Sequence, residues 1–192
     1  NVDPEQLASF LDWIQDKLEN TVFNVISKSG RTAETAAQFM TIRNLLMEKL
    51  GKAGFAEQVI ATTDPREGTL RNIVIENNLT SLDVPGGVGG RFSVLSPVGL
   101  FGAAVCGIDI KAILAGARDM DSRVGNTKLV KNPAALIAAI NYHYYHSGKR
   151  ISVMMPYSYA LKDWADWYRQ LWAESLGKAE TKSGLRLHIG PT

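Results

Sequence analysis

Behind Asp3-Pro4-Glu5-Gln6, apolar residues recur at helical spacing: Leu7, Phe10, Leu11, Ile14 and Leu18 form one stripe. The preceding tetrapeptide supplies an N-cap, a proline at the first helical position and a glutamine at N3, so a helix is predicted to start there. A short apolar run, Val22 to Ile26, suits a buried strand, and the polar loop SKSGRT from Ser27 to Thr32 follows it. The next helical stretch runs from about Ala33 to Leu50, with Lys49 in its last turn and Gly51 as its stop.

Further along, Val59–Thr62 and Leu82–Val84 read as strands, and Asp64-Pro65 as the start of a helix toward Glu76. Helices are predicted at about Pro97–Met120, Pro133–His146 and Leu161–Leu176, the last ended by Gly177. Arg150–Met155 and Leu185–Ile189 complete the strands. There is no internal repeat or low-complexity segment. Strands alternating with helices predict an α/β fold with a mostly parallel sheet covered on both faces. Ligands bind beyond the carboxyl ends of such strands, so the loops after Ile26, Val84 and Met155 become site candidates.

Composition narrows the function classes. Across 192 residues the net charge is +2, and no block of like charges marks a polyanion surface, so nucleic acid is not an expected partner. No apolar run reaches the ~18 residues that a membrane-spanning helix needs. Leu95–Ile110, the longest apolar stretch, is interrupted by Pro97, Gly99, Gly102, Gly107 and Asp109. It holds Cys106, the single cysteine, which excludes a disulfide scaffold, fits a reducing compartment and reads as a small buried hydrophobe. The chain begins at Asn1 without an initiator Met and stops at Gly190-Pro191-Thr192, so both ends read as cut.

Three segments could carry chemistry. SKSGRT offers three hydroxyls, two cations and a helix N-terminus, the ingredients of a phosphate cradle. The alternative is a polar connecting loop in which Thr32 caps the helix. It is not a P-loop, because GxxxxGK[ST] is absent. PGGVGGRFSVLSPVG, Pro85 to Gly99, has glycines that permit close backbone approach, Arg91 as its one charge, and Ser96-Pro97 as a cap leading into a helix expected to be buried. Gln170 and Glu174 share a helix face beside the stripe of Trp164, Tyr168, Leu171 and Trp172. A carboxylate there could carry a raised pKa and act as a proton-transfer base, or could belong to a solvated face with Asp163 and Asp166. His143 and His146 stand three residues apart with no third metal ligand nearby, and read as packing and surface residues. Trp13, Trp164, Trp167 and Trp172 read as core; His188 carries no signal.

Taken together, NVISKSGRTAET (Asn24–Thr35), VGGRFSVLSPVG (Val88–Gly99) and QLWAESLGK (Gln170–Lys178) resemble the glucose-6-phosphate isomerase family, and TTDPREGTLR (Thr62–Arg71) is similar to it as well. The resemblance covers about residues 20 to 178. It implies a three-layer α-β-α sugar isomerase (SIS) domain, flavodoxin-like, with a doubly wound, mostly parallel sheet. Residues 1–192 would be one partial domain truncated at both ends, with the helix 161–178 carrying the catalytic glutamate. The implied reaction is aldose–ketose isomerisation between glucose 6-phosphate and fructose 6-phosphate through a cis-enediolate. In that reading Glu174 is the base and Arg91 stabilises the enediolate. Ser27, Lys28, Ser29, Gly30, Arg31 and Thr32 form the phosphate loop, and Gln170 meets the sugar. No metal or organic cofactor is expected, because base, arginine and phosphate anchor supply the needed chemistry. A cytoplasmic enzyme, homodimeric at full length, is implied.

Two departures stand out. Arg31 replaces a threonine found in many members, and is expected to point to solvent. The family's upstream GIGGS-type loop and its downstream ring-opening His and Lys are absent, so an isolated chain of this sequence is expected to isomerise poorly. A non-catalytic sugar-phosphate-binding module of the same fold is the competing reading. It has no use for Arg91 or Glu174.

Overall fold

The computed structural model describes residues 2–190, with the His188 side chain outside that description. The chain divides after Cys106 into two compact units.

The first unit opens with helix α1, Pro4–Ile14, capped by the Asp3 carboxylate on the Gln6 amide and continued as a 3-10 helix to Asn20. Three strands follow: β1 (Phe23–Ile26), β2 (Val59–Thr63) and β3 (Thr80–Asp83), joined by helices α2 (Ala33–Glu57) and α3 (Thr69–Asn77). All three strands are parallel, in the order β1-β2-β3, with Val25 opposite Ala61 and Ala61 opposite Ser81. The central strand is the most buried: Val59, Ala61, Thr62 and Thr63 are fully enclosed. Two parallel neighbours exchange hydrogen bonds with it, as expected of a parallel sheet covered by helices. Ile14, Leu18, Phe39, Leu46, Phe55, Leu70 and Val74 from the surrounding helices complete the core.

Four local departures from the expected pattern have physical causes. Gly51 does not end α2. At φ 70° and ψ −173° it kinks the helix, which runs on to Glu57. Asp64-Pro65 does not open a helix either: the Asp64 carboxylate accepts from the Arg66 and Glu67 amides in a turn, and α3 begins after Gly68 at φ 108°. The stretch expected as one helix from Pro97 to Met120 is two, α4 (Pro97–Val105) and α5 (Ile110–Val124). Gly107 at φ 76° breaks the ladder, and Asp109 recaps the chain on the Lys111 and Ala112 amides. Finally, no residue of α4 is buried and Cys106 is exposed, so neither is the core element its apolar composition suggested.

The second unit carries α5, then α6 (Pro133–His146) and α7 (Lys162–Leu176). Arg150–Met155 is not a strand, and the loop after Met155 accordingly follows no sheet edge. A β-branched, apolar run forms a strand only where a neighbour supplies the ladder, and none pairs with it among the described residues. Arg186–Ile189 (β5) does form a strand, but it pairs antiparallel with Lys178–Glu180 (β4) in a two-stranded ribbon instead of extending the parallel sheet.

Candidate functional site

A cleft of about 610 Å3 lies at the carboxyl edge of the parallel sheet, within the size range of small-molecule sites. Each strand feeds it directly. Ser27, Lys28, Ser29, Arg31 and Thr32 follow β1; Asp64, Glu67 and Gly68 follow β2; Val84, Gly90 and Ser93 follow β3.

The first wall is built by local hydrogen bonds. The Ser27 hydroxyl accepts from the Gly30 amide at 3.1 Å, and the Ser29 hydroxyl from the Arg31 amide at 3.2 Å, which curls the loop tightly. Thr32 sits at the N-cap of α2, yet its side chain makes no capping bond there. Its hydroxyl instead stands 3.4 Å from that of Ser27. The helix start is therefore left to its own first-turn amides beside two facing hydroxyls, an arrangement suited to an anion. Arg31 is exposed and nonetheless lines the cleft. Gly30 is fixed at φ 68° against α3, where a Cβ would run into the backbone nitrogen of Leu70; across from it, a Cβ on Gly68 would lie 2.7 Å from the Ser29 carbonyl. The loop and the α3 N-terminus thus touch at a glycine-to-backbone seam.

The strand ends are tied to one another by buried polar bonds. The Thr63 hydroxyl donates to the Ser27 carbonyl at 2.8 Å and stands 3.2 Å from that of Lys28. Arg71, almost fully buried, donates through Nε to the Asp64 carbonyl at 2.7 Å, through Nη1 to the Ser81 hydroxyl at 3.0 Å and through Nη2 to the Asp83 carboxylate at 2.7 Å. One guanidinium therefore fixes the ends of both β2 and β3, a role absent from the candidates read in the sequence. The Asp64 carboxyl is held below its usual value, chiefly by the Arg66 amide; some desolvation opposes this, and the Glu67 amide, Lys28 and Arg71 add to the lowering. A carboxylate at the cleft therefore stays ionised under ordinary conditions. Asp64 and Glu67 were missed as lining residues because Asp64-Pro65 looked like a helix cap.

The third wall is the glycine-rich loop. Gly90–Leu95 winds into a 3-10 helix whose Ser93 hydroxyl donates to the Gly90 carbonyl at 2.6 Å. Gly90 and Ser93 line the cleft, whereas the Arg91 guanidinium lies over the Phe92 ring at 4.7 Å. Lys28 reaches this loop from the first wall, donating through Nζ to the Val88 carbonyl at 2.8 Å.

Gln170 and Glu174 belong to the second unit, on α7. Both are exposed, and the Gln170 amide donates to the Glu174 carboxylate at 2.9 Å. Beside them Trp164, Tyr168 and Trp172 stack in sequence, with ring centroids 5.9 and 5.6 Å apart. Burial raises the Tyr168 pKa. Trp13 and Trp164 are exposed and Trp167 and Trp172 only half-buried, so none of the four tryptophans is the core residue it was expected to be. The His146 ring packs on Tyr142 at 4.3 Å, and no cluster of three metal-ligating side chains occurs among the described residues.

Comparison with known proteins accounts for nearly the whole chain. A family model described as phosphoglucose isomerase matches residues 1–190. A glucose-6-phosphate isomerase of Carboxydothermus hydrogenoformans is 48% identical over 192 residues, which is 100% of this chain and 41% of that protein. One of Bacillus cereus is 39% identical over 173 residues, covering 89% of this chain and 38% of its own. Among solved structures, a hypothetical protein of Thermus thermophilus superposes with a TM-score of 0.90 at 35% identity, over 100% of this chain and 44% of that one. A glucose-6-phosphate isomerase from Chlamydia trachomatis superposes at 0.82 with 28% identity, over 100% and 37%. The chain spans about 40% of the length of the curated relatives it matches.

Proposed function

The chain belongs to the phosphoglucose isomerase family, and from that premise we propose that it is part of an enzyme interconverting glucose 6-phosphate and fructose 6-phosphate. The observation that supports this reading is the cleft at the sheet's carboxyl edge, lined together by Ser27, Ser29 and Thr32 of SKSGRT and by Gly90 and Ser93 of the glycine-rich loop. The architecture implied is a doubly wound, three-layer sugar isomerase domain, of which the three parallel strands supply part of the sheet.

In this reading the substrate phosphate sits against the Ser27, Ser29 and Thr32 hydroxyls and the first-turn amides of α2, with the Gly30 turn shaping the loop around it. Lys28 and Arg31 add positive charge. Anchoring the phosphate leaves its binding energy available to orient the sugar, which is how a remote group raises the rate at the reacting carbons. The Glu174 carboxylate takes the proton from C2 of the open-chain aldose. The electron pair of that C–H bond forms the C1–C2 double bond, and negative charge collects on oxygen as an enediolate. Arg91, a fixed cation, stabilises the charge that develops only then. The O2 hydroxyl proton passes to O1, and protonated Glu174 returns its proton to C1 as the C1–C2 double bond gives way to the C2–O2 carbonyl, giving the ketose. Gln170, already bonded to Glu174, orients that carboxylate and the sugar. The full-length enzyme is proposed to be a cytoplasmic homodimer, with the ring-opening histidine coming from the other subunit.

The experiment is Glu174→Gln in the full-length enzyme. Turnover of fructose 6-phosphate in a coupled assay is expected to fall by about 10²–10⁴, the usual worth of a positioned base. A variant that keeps near-normal turnover overturns the assignment.

A further inference from the structure

The Lys28 side chain is the feature of the cleft whose geometry differs from its expected part in a phosphate loop. Its ammonium reaches away from its own loop and donates to the Val88 carbonyl at 2.8 Å, sixty positions along the chain. The lysine is half-buried there. Its backbone is held at the same time: the Lys28 carbonyl accepts from the Asp64 amide at 3.2 Å and lies 3.2 Å from the Thr63 hydroxyl. The stem of the side chain therefore starts from a fixed base at the end of the sheet, and only its tip meets the glycine-rich loop.

That loop has few ways to hold itself in place. Pro85–Gly90 is PGGVGG, with Gly87 at φ 78° and no Cβ contact available at Gly86, Gly87 or Gly90. Its internal bond, from the Val88 amide to the Pro85 carbonyl, is long at 3.3 Å, and a shorter bond, from the Phe92 amide to the Gly89 carbonyl at 3.0 Å, lies past Val88. Its upstream end is pinned where the Val84 amide donates to the Thr63 carbonyl at 2.8 Å, and its downstream end where Gly90 enters the 3-10 helix. Glycine-rich backbone loses more conformational freedom on ordering than any other, so the span between these pins needs a contact from outside. A charged donor on a carbonyl is the stronger class of hydrogen bond. Val88 stands three residues before Arg91, so a bond at Val88 sets the path of the backbone that presents Arg91.

We propose that Lys28 is a positioning residue: a strut from the phosphate loop to the Val88 carbonyl that fixes the glycine-rich loop and, through it, the place of Arg91. The assignment of Arg91 to the reacting sugar rests on the isomerase reading; the strut itself does not. It also links the two walls, so that a phosphate ordering SKSGRT would at once steady the loop that carries the arginine.

The test has two arms. In the first, hydrogen exchange is followed on the chain itself, with no phosphate or sugar present, for Lys28→Met and Lys28→Arg. In Lys28→Met the Val88 and Phe92 amides, which donate to the Pro85 and Gly89 carbonyls, are expected to exchange at least about tenfold faster, the worth of one charge-assisted bond, while the β2 amides keep their protection. Lys28→Arg, which keeps a charged donor, is expected to restore most of the protection. A lysine serving only as an anion ligand would leave exchange in the empty protein unchanged, so unchanged exchange in Lys28→Met overturns the strut. Loss of protection throughout β1 and β2 overturns it as well, because the residue would then be a general support of the fold.

In the second arm, kcat and KM for fructose 6-phosphate are measured in the full-length enzyme. Lys28→Met is expected to lower kcat by about tenfold or more, because a displaced arginine loses its transition-state contact. A rise in KM with kcat unchanged overturns the link to Arg91. If the unsubstituted full-length protein fails to isomerise at all, the isomerase reading falls, and the exchange arm still decides the strut.

Discussion

Gly30 carries a constraint that its lack of a side chain conceals. It stands at φ 68°, in the region that L-residues rarely adopt, and it faces the backbone of α3 so closely that a Cβ has nowhere to go. Two penalties therefore act together in Gly30→Ala: backbone strain, and separation of the loop from Leu70. Urea denaturation of that variant is expected to give a loss of about 1–3 kcal/mol, the usual range for strain of this kind. A loss below a few tenths would show that the seam between loop and helix yields easily. Gly68 makes the reciprocal approach, toward the Ser29 carbonyl. The glycine in TTDPREGTLR thus has a definite partner in the glycine of SKSGRT. Both glycines are visible in the sequence, and their mutual fit is not, because thirty-eight positions separate them.

Among elements, local chemistry was readable and long-range pairing was not. The starts of α1, α4 and α6 were legible because Asp3, Ser96 and Asn132 each bond an amide two or three residues ahead, with proline next to the cap. Strands β1 and β2 were legible from apolar runs bounded by polar loops. Arg150–Met155 carried the same signal and formed no strand, since alternation says nothing about whether a neighbour exists. Arg71 is the sharpest case of a residue hidden from the sequence. In TLRNIVIEN it looks like an ordinary helical arginine, yet it joins the Asp64 carbonyl, Ser81 and Asp83 across the ends of two strands. Asp83 remains largely exposed, so the ion pair by itself is screened. The stabilising weight lies in the bonds to Asp64 and Ser81. Arg71→Met, which keeps much of the volume and removes the donors, is expected to cost about 1–3 kcal/mol in urea denaturation. Faster amide exchange at Asp64 and Asp83 should accompany it. A variant with native stability would mean that the strand ends are held by the sheet alone.

At the scale of the molecule, burial is divided unequally between the two units. Every core residue from Ile14 to Val84 belongs to the first unit, together with buried Ser93 and Ser96. In the second unit no described residue is buried, and Val130, Ile151, Val153 and Met155 are each at least 70% exposed. The residues singled out in the sequence divide likewise: SKSGRT and the glycine-rich loop stand on the packed sheet of the first unit, whereas Gln170 and Glu174 stand exposed on α7 of the second. SKSGRT was legible as a loop between a strand and a helix, and its cleft position follows from that placement; helix spacing put Gln170 and Glu174 on one face, but spacing alone left a base and a solvated face both open. Stability follows apolar area removed from water, and a length of about a hundred residues suffices for one core. Residues 1–106, expressed alone, are therefore expected to melt in a single sigmoidal transition by circular dichroism. Residues 107–192 alone are expected to lose helical signal gradually on heating and to bind a hydrophobic dye when cold, as a chain without fixed packing does. A sharp transition for 107–192 would mean that α5, α6 and α7 bury a core of their own. A gradual one for 1–106 would mean that its sheet needs support from outside. If both expectations hold, the family's remaining length, which this chain does not contain, becomes the natural source of cover for the exposed apolar side chains of the second unit, and adding it back should sharpen the melt of 107–192.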